Sequence, residues 1–413
     1  MIKRGTGLSL VVLILLGSSV LAGTYSGGTG ELNNPYRIAT AADLNDIGNH
    51  VEDFNKCFVM VNDVNLSEYT GTEFNIIGPN AITPFTGVFD GNNHTISNFT
   101  YQSASSDNIG LFGHVDDVNA EIKDLILIDP NVHGNTRVGS LVGGLANGTI
   151  TNCNAEGADI SGDSFVGGLV GVNGYTILNC YATGTVDGNS MTGGLVGGNA
   201  GGGEILNCYA TGNVNGNDFT GGLVGHIFHF MFKYPVISNC YATGNVSGNN
   251  RHTGGLAGSF DVGAGVIVNC YATGTVDGND YTGGLVGSAR AEEGGMVNCY
   301  AAGTVIGDDP NTGGLVGYGT GNYYRKCFWD SNVNPDVNGI GNITDPNVIG
   351  KSTIEMQKES TFTDWDFVEI WDIGENQTYP YLRVYPAGDL NHDDQVNLLD
   401  FAIFADHWLA GVE

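Results

Sequence analysis

Apolar and polar residues alternate through much of this chain, and the alternation recurs in blocks. From Cys270 to Gly278, Cys270, Ala272 and Val276 share one parity while Tyr271, Thr273, Thr275 and Asp277 share the other. That is the period-two signature of a strand with one buried face. No block holds a capped stretch with apolar residues three and four apart, so helical repeats and leucine-rich horseshoes fit poorly. Aligned on cysteine, the blocks read TITNC ending at Cys153, TILNC at Cys180, EILNC at Cys208, VISNC at Cys240, VIVNC at Cys270, GMVNC at Cys299 and a worn YYRKC at Cys327. The spacing is 27 to 32 residues. Self-similarity at that period marks a solenoid, in which each coil buries its apolar face only against its neighbours.

Each coil divides into three predicted segments. One ends at the apolar residue three before the cysteine (Ile177, Ile205, Ile237, Ile267, Met296), one runs through CYATGTV, and one holds TGGLVG. Between the first two stands an asparagine, at Asn179, Asn207, Asn239, Asn269 and Asn298. Asparagine tolerates the left-handed region, so a corner is expected there, with amides hydrogen-bonded up and down the stack. Asp187-Gly188-Asn189 and Asp277-Gly278-Asn279 are the expected next turn. The predicted fold class is all-β, a right-handed parallel β-helix followed by a small C-terminal calcium loop and helix.

Gly193-Gly194-Leu195-Val196-Gly197, with copies starting at Gly167, Gly221, Gly283 and Gly313, resembles the GLUG motif of bacterial extracellular β-solenoid proteins. The likeness extends to a lead-in: Asn34-Pro35-Tyr36, a short helix over Thr40 to Gly48, then Val61 to Leu66, Pro84 to Asn98 and Gly110 to Gly113. It also covers an exit from Phe328-Trp329-Asp330 to Tyr379-Pro380-Tyr381-Leu382. This resemblance implies architecture more than activity; GLUG-bearing chains look like adhesins or accessory parts of secreted enzymes.

The first residues, MIKRGTGLSLVVLILLGSSVLAG, place Lys3 and Arg4 before an apolar run and small residues around Ala22, as in a secretory signal peptide. A membrane anchor is the alternative, but the run is short for a bilayer. The expected division is a signal peptide over 1–22, a lead-in with the first coils over 23–100, the repeat solenoid over 101–330, a cap over 331–386 and a calcium repeat over 387–413. Fourteen Lys+Arg stand against 44 Asp+Glu, a formal net charge of -30. Such a surface repels a phosphate backbone, so no nucleic-acid partner is expected, and no membrane span is expected in the mature chain. The 66 glycines accompany abundant aliphatic residues, which points to tight turns rather than a disordered linker.

Seven of the eight cysteines share one rung position. Buried thiol packing, disulfides and a metal ladder are all open readings, although in-register neighbours about 4.8 Å apart sit too far for a relaxed bridge and do not converge on a metal. The longest coil carries HIFHFMFKYP, in which Phe228, Phe230, Phe232 and Tyr234 alternate with His226 in the same parity. One strand face would then present rings for a glycan or a partner; the competing reading is that they cover the solenoid flank.

The tail GDLNHDDQVNLLDFAIFADHWLAGVE changes character. Asp389, Asn391 and Asp393 fall at loop positions one, three and five, Gln395 offers a carbonyl at seven, and Asn397 and Asp400 fill nine and twelve. Hard Ca²⁺ needs six to eight oxygens wrapped by a short chain, so Ca²⁺ is the expected cofactor. Phe401, Ile403, Phe404 and Trp408 mark an amphipathic helix over Leu398 to Leu409. The pattern is similar to the calcium repeat of type I dockerins, which implies a cohesin-bearing scaffold as partner. Asp394 stands where glycine is usual, and one loop is present where dockerins resemble a tandem of two.

No GxSxG, HExxH, Walker loop or dinucleotide fingerprint occurs in a supporting context. Acidic residues at Asp90, Asp107, Asp116 and Asp117 are the carboxylates to watch for convergence. The leading expectation is a secreted, non-catalytic solenoid for adhesion or for glycan or partner binding, tethered through its tail; the alternative is a polysaccharide lyase or glycoside hydrolase of the β-helix type.

Overall fold

A computed structural model describes residues 23–229, 233–308, 310–320 and 323–383. The expected signal peptide and the calcium loop with its ligands Asp389, Asn391, Asp393, Gln395, Asn397 and Asp400 lie outside the described residues, as do Phe230 and Phe232.

The described chain is a β-solenoid. Strands of successive coils pair in parallel and in register, and one inward column runs from Tyr36 through Phe58, Phe89, Ile122, Ile150, Ile177, Ile205, Ile237, Ile267 and Met296 to Tyr324. This is the alternation of the sequence made physical: the residues of one parity meet their copies one coil away and leave water. Each fully buried Ile or Leu in such a column contributes roughly 1.5–3 kcal/mol. The core changes along the axis. Its N-terminal end is aromatic, with Phe85 and Phe112 at 5.0 Å and Phe89 and Phe112 at 5.4 Å between ring centres. From Ile122 to Ile267 every member of the column is isoleucine, before it closes on Met296 and Tyr324.

The lead-in holds the expected helix, Ala41–Ile47, capped by Thr40 and Asp43 in a reciprocal capping box. Among the described residues no helix is long and apolar enough to cross a membrane. At the other end the parallel ladder continues past the repeats: Asn338–Ile340 pairs with the strand Thr312–Thr320, and Val348–Lys351 pairs with Cys327–Asp330. Residues 353–382 then fold back along the flank. Met356, Phe362, Trp365, Trp371 and Leu382 cover Tyr271, Tyr300 and Phe328. Asp330, fully buried, ties this cap down by accepting from Thr353 Oγ1 and Tyr379 OH, both at 2.7 Å, and from the backbone N–H of Asn332 and Val333.

The cysteine column is a ladder of free, buried thiols from Cys153 to Cys327. The backbone N–H of Cys153 points at Cys180 Sγ (3.3 Å), and Cys180 Sγ donates to the Leu178 carbonyl (3.2 Å). Burial pushes the thiols of Cys153, Cys180, Cys240, Cys270 and Cys327 well above their ordinary range, which keeps them protonated and inert.

The GGLVG glycines are set by close approach of backbones. A Cβ on Gly194 would lie 2.1 Å from the Gly222 carbonyl oxygen of the next coil and 2.9 Å from Ala210 Cβ. Leu195 and Val196 between them are fully buried. The motif is therefore a packing device: two residues fill the core while their flanking glycines let coils stack.

One expected turn falls elsewhere. Asp187-Gly188-Asn189 stays inside the strand Tyr181–Gly193, and Asp277-Gly278-Asn279 inside Val276–Gly283. Gly188 is there for space, since its Cβ would meet Thr192 Oγ1 at 2.3 Å. The chain bends later, at Met191 and Tyr281, which hold φ of 54° and 56°.

Candidate functional site

Two corners of each GLUG coil use the left-handed backbone. At the first stand Asn152, Asn179, Asn207, Asn239, Asn269 and Asn298, with φ between 52° and 54°. Each donates its side-chain N–H to the coil before: Asn179 to Asn152 Oδ1 at 3.2 Å, Asn207 to Asn179 at 3.1 Å, Asn239 to Asn207 at 3.1 Å, Asn269 to Asn239 at 3.0 Å and Asn298 to Asn269 at 3.3 Å. Asp124 starts the ladder by accepting from Asn152 at 2.8 Å. This corner matches its sequence expectation.

At the second corner the left-handed residue is Phe165, Met191, Phe219, His252 or Tyr281, with φ from 54° to 62°. Bulky side chains pay about 1–2 kcal/mol for that conformation. Their rings line up along the solenoid axis. Phe219 lies flat between His226 (4.5 Å, 10°) and His252 (4.7 Å, 5°), and His252 stacks on Tyr281 (4.9 Å). His226 meets Phe228 at 5.0 Å, and Phe228 meets Phe165 at 6.1 Å. At the other end Tyr281 takes Tyr318 edge-on at 5.2 Å, and the Arg290 guanidinium sits over Tyr318 at 5.4 Å.

The sequence expectation of a ring strip along one strand is thereby redrawn. The strand Val224–Phe228 delivers His226 and Phe228, which meet Phe219 of the same coil and Phe165 of an earlier one. Tyr234 is 49% exposed and stacks on His229 at 5.1 Å, away from the row. Beside it Lys233 covers the Tyr175 ring at 4.5 Å. Phe165, Phe219, His252, Tyr281 and Tyr318 were not legible as a site; the available signal was a large residue recurring immediately before the Val or Thr that precedes each Gly-Gly pair.

Both ring nitrogens of His226, and Nδ1 of His252, are buried without a hydrogen-bond partner among the described residues. Burial pulls each histidine down to about 4; His252 further lowers His226, and Arg290 and Arg251 further lower His252. Both rings are therefore neutral at pH 7 and behave as aromatic surface rather than as acid or base.

A second aromatic column runs along the flank. Tyr181, Tyr209, Tyr241, Tyr271 and Tyr300 stack at 4.8 to 5.1 Å, nearly parallel. The cap buries its last two members, and Tyr300 OH donates to the Pro380 carbonyl. This column is structural at that end.

Among the described residues, the carboxylates singled out in the sequence are each engaged by an asparagine. Asp107 accepts from Asn135 (2.8 Å), Asp116 from Asn147 (2.8 Å), Asp163 from Asn189 (3.1 Å) and Asp187 from Asn215 (2.8 Å), each pairing with the next coil. Asp90 and Asp117 accept locally, from Asn92 and Asn119. Among the described residues no three His, Cys, Asp or Glu side chains are grouped to hold a metal ion.

Comparison with known proteins agrees with this architecture. The family model described as the GLUG motif matches residues 134–161, 164–187, 188–215 and 220–247. Halomucin of Haloquadratum walsbyi is 34% identical over 158 residues, covering 37% of this chain and 2% of that protein. A protein of Evansella cellulosilytica, provisionally named as a Gly-rich membrane protein, is 33% identical over 185 residues, covering 36% of this chain and 21% of its own length. The chain thus spans a small part of either relative. A crystal structure of a Bacteroides ovatus protein, provisionally named an immunoglobulin A1 protease, aligns with 87% of this chain and 95% of its own at 20% identity, with a TM-score of 0.49. The chain carries GLUG repeats on a β-solenoid core.

Proposed function

We propose that this protein is an extracellular, non-catalytic β-solenoid that adheres to glycan polymers along the Phe165–Tyr318 aromatic corner. The observation that carries this reading is the strained backbone: bulky side chains, rings in every coil but that of Met191, are held at positive φ from Phe165 to Tyr281, where asparagine or glycine would cost less. Strain of this kind is retained where it positions a functional surface. The stacked row, with neutral His226 and His252 inside it, offers its ring edges as an apolar strip for sugar C–H groups, and Arg290 adds a polar edge. Relatives named halomucin and a Gly-rich membrane protein support a surface-associated role, as does a signal peptide over 1–22.

In its finer form the proposal includes a right-handed helix and a tail that binds Ca²⁺ through Asp389, Asn391, Asp393, Gln395, Asn397 and Asp400. Loaded with Ca²⁺, that tail would anchor the solenoid to a cohesin-like or other surface partner. The spread of carboxylates over separate coils favours binding over polysaccharide cleavage.

The test uses the mature chain with calcium and immobilised plant, algal and microbial polysaccharides, alongside a triple variant Phe165→Gly, Phe219→Gly, Tyr281→Gly. Glycine suits the left-handed corner, so the backbone keeps its course while the rings vanish. Retention on at least one polysaccharide, lost at least tenfold in the triple variant, is expected. Equal retention by both proteins, or release of reducing ends or unsaturated products, overturns the proposal.

A further inference from the structure

At its C-terminal end the solenoid opens into a pocket of about 210 Å³, between the strand Cys327–Asp330 and the last coil. We infer that this pocket binds one neutral, hydroxyl-rich ring, a single monosaccharide unit, held between the Asp345 carboxylate and the Trp329 indole N–H.

Asp345 lines the pocket and is 9% exposed. Its Oδ1 accepts from the Asn347 backbone N–H (2.8 Å) and from Asn347 Nδ2 (3.0 Å). Among the described residues nothing donates to Oδ2, and no Lys, Arg or His pairs with this carboxylate. Trp329, 6% exposed, also lines the pocket, and its indole N–H has no acceptor among the described residues. Two further lining residues, Gly339 and Gly350, leave that nitrogen open: a Cβ at either would stand 2.8 or 3.2 Å from Trp329 Nε1. Neither glycine holds a positive φ, so backbone conformation does not demand them.

The two groups without a partner among the described residues narrow the class of ligand that could displace water there. An ammonium would satisfy Asp345 but has no acceptor for the indole N–H, and a carboxylate or phosphate would be repelled by Asp345. A hydroxyl group both donates and accepts, so a polyol satisfies both. Thr344 and Asn338 add polar partners at the rim, while Ile343 and Val348 supply an apolar wall for the C–H face of a ring. A few convergent polar groups beside an apolar wall are what fixes a small ligand's orientation in such a site. The volume suits one ring. The inference does not rest on the aromatic corner, which lies on other residues.

Saturation-transfer NMR on the mature chain tests it, with glucose, galactose, mannose, xylose, fucose and N-acetylglucosamine each as probe, and methylammonium as cationic control. The variants are Asp345→Asn, which keeps the Oδ1 acceptor for Asn347 but turns the free acceptor into a donor, and Gly350→Val, which fills the space beside the indole. Transfer to at least one neutral sugar is expected, weakened tenfold or more in both variants and unchanged in the Phe165→Gly, Phe219→Gly, Tyr281→Gly protein. No transfer to any sugar, transfer unaffected by Asp345→Asn, or binding of methylammonium alone would overturn the assignment. Because the corner variant is measured in parallel, failure of the pocket and failure of the corner are separate results.

Discussion

The two left-handed corners of the coil solve one geometric problem with opposite residue types. At the first, asparagine tolerates the backbone and adds an amide ladder, so conformation and hydrogen bonding agree; Asn239 both donates to Asn207 and accepts from Asn269. At the second, Phe219 at φ 55° gains only ring stacking, worth about 0.5–1.5 kcal/mol per contact, against a conformational cost of about 1–2 kcal/mol. The first corner is built for stability. The second comes near to break-even and gains a row of rings, which is the trade expected of a surface that does something besides hold the fold.

The largest expected effect comes from acid. His226 and His252 sit near 4 in the folded chain against an ordinary value near 6.5, because burial disfavours the charged ring. The unfolded chain takes up these protons first as pH falls. The contribution of these two rings to stability is therefore constant above about pH 6.5 and declines from there to about 4, by roughly 3 kcal/mol for each ring. Asn ladders do not titrate, so the aromatic corner should fail before the other. Calorimetric Tm measured from pH 7.5 to 4, for wild type and for a His226→Gln, His252→Gln protein, checks this: the wild-type curve should fall more steeply below pH 6.5. Parallel curves would mean that the buried rings do not govern acid sensitivity, and would remove one difference between the corners.

What the sequence disclosed follows the same division. The inward column, the Asn corner and the GGLVG stacking were legible because each repeats at fixed spacing and each residue type does the same work in every coil. The aromatic corner varies its residue from Phe to Met to His to Tyr, so no letter recurs. Asp-Gly-Asn also offered a more conventional turn three residues too early, and glycine there proved to make room for a threonine. The contact of Phe219 with His226 depends moreover on a position that holds Gly198, Ser259 and Ser288 in other coils, so no repeated letter marks it. The terminal pocket combines Trp329 with residues of the last coil, and sequence spacing alone does not show that Asp345 lacks a partner.

A second test probes the stabilising corner. Asn239→Ala removes two ladder hydrogen bonds at about 1 kcal/mol each and places alanine in a conformation it resists. A loss of about 3 kcal/mol is expected by urea denaturation, with retention on polysaccharide unchanged. A loss below about 1 kcal/mol would show the ladder to be ornamental.

The smallest expected effect is the most discriminating. Phe219→Gly relieves the strain of a bulky residue at positive φ while forfeiting stacking on His226 and His252, so the terms oppose and stability should move by no more than about 1 kcal/mol. Removing the ring also opens the unpartnered nitrogens of His226 and His252 to water, which raises both histidines toward their ordinary value and softens the acid transition. Binding should fall although stability does not. The same urea measurement decides the matter: if Phe219→Gly costs about 3 kcal/mol, as Asn239→Ala is expected to, then the rings hold the coils together as the amides do, and strain at the second corner needs no functional explanation.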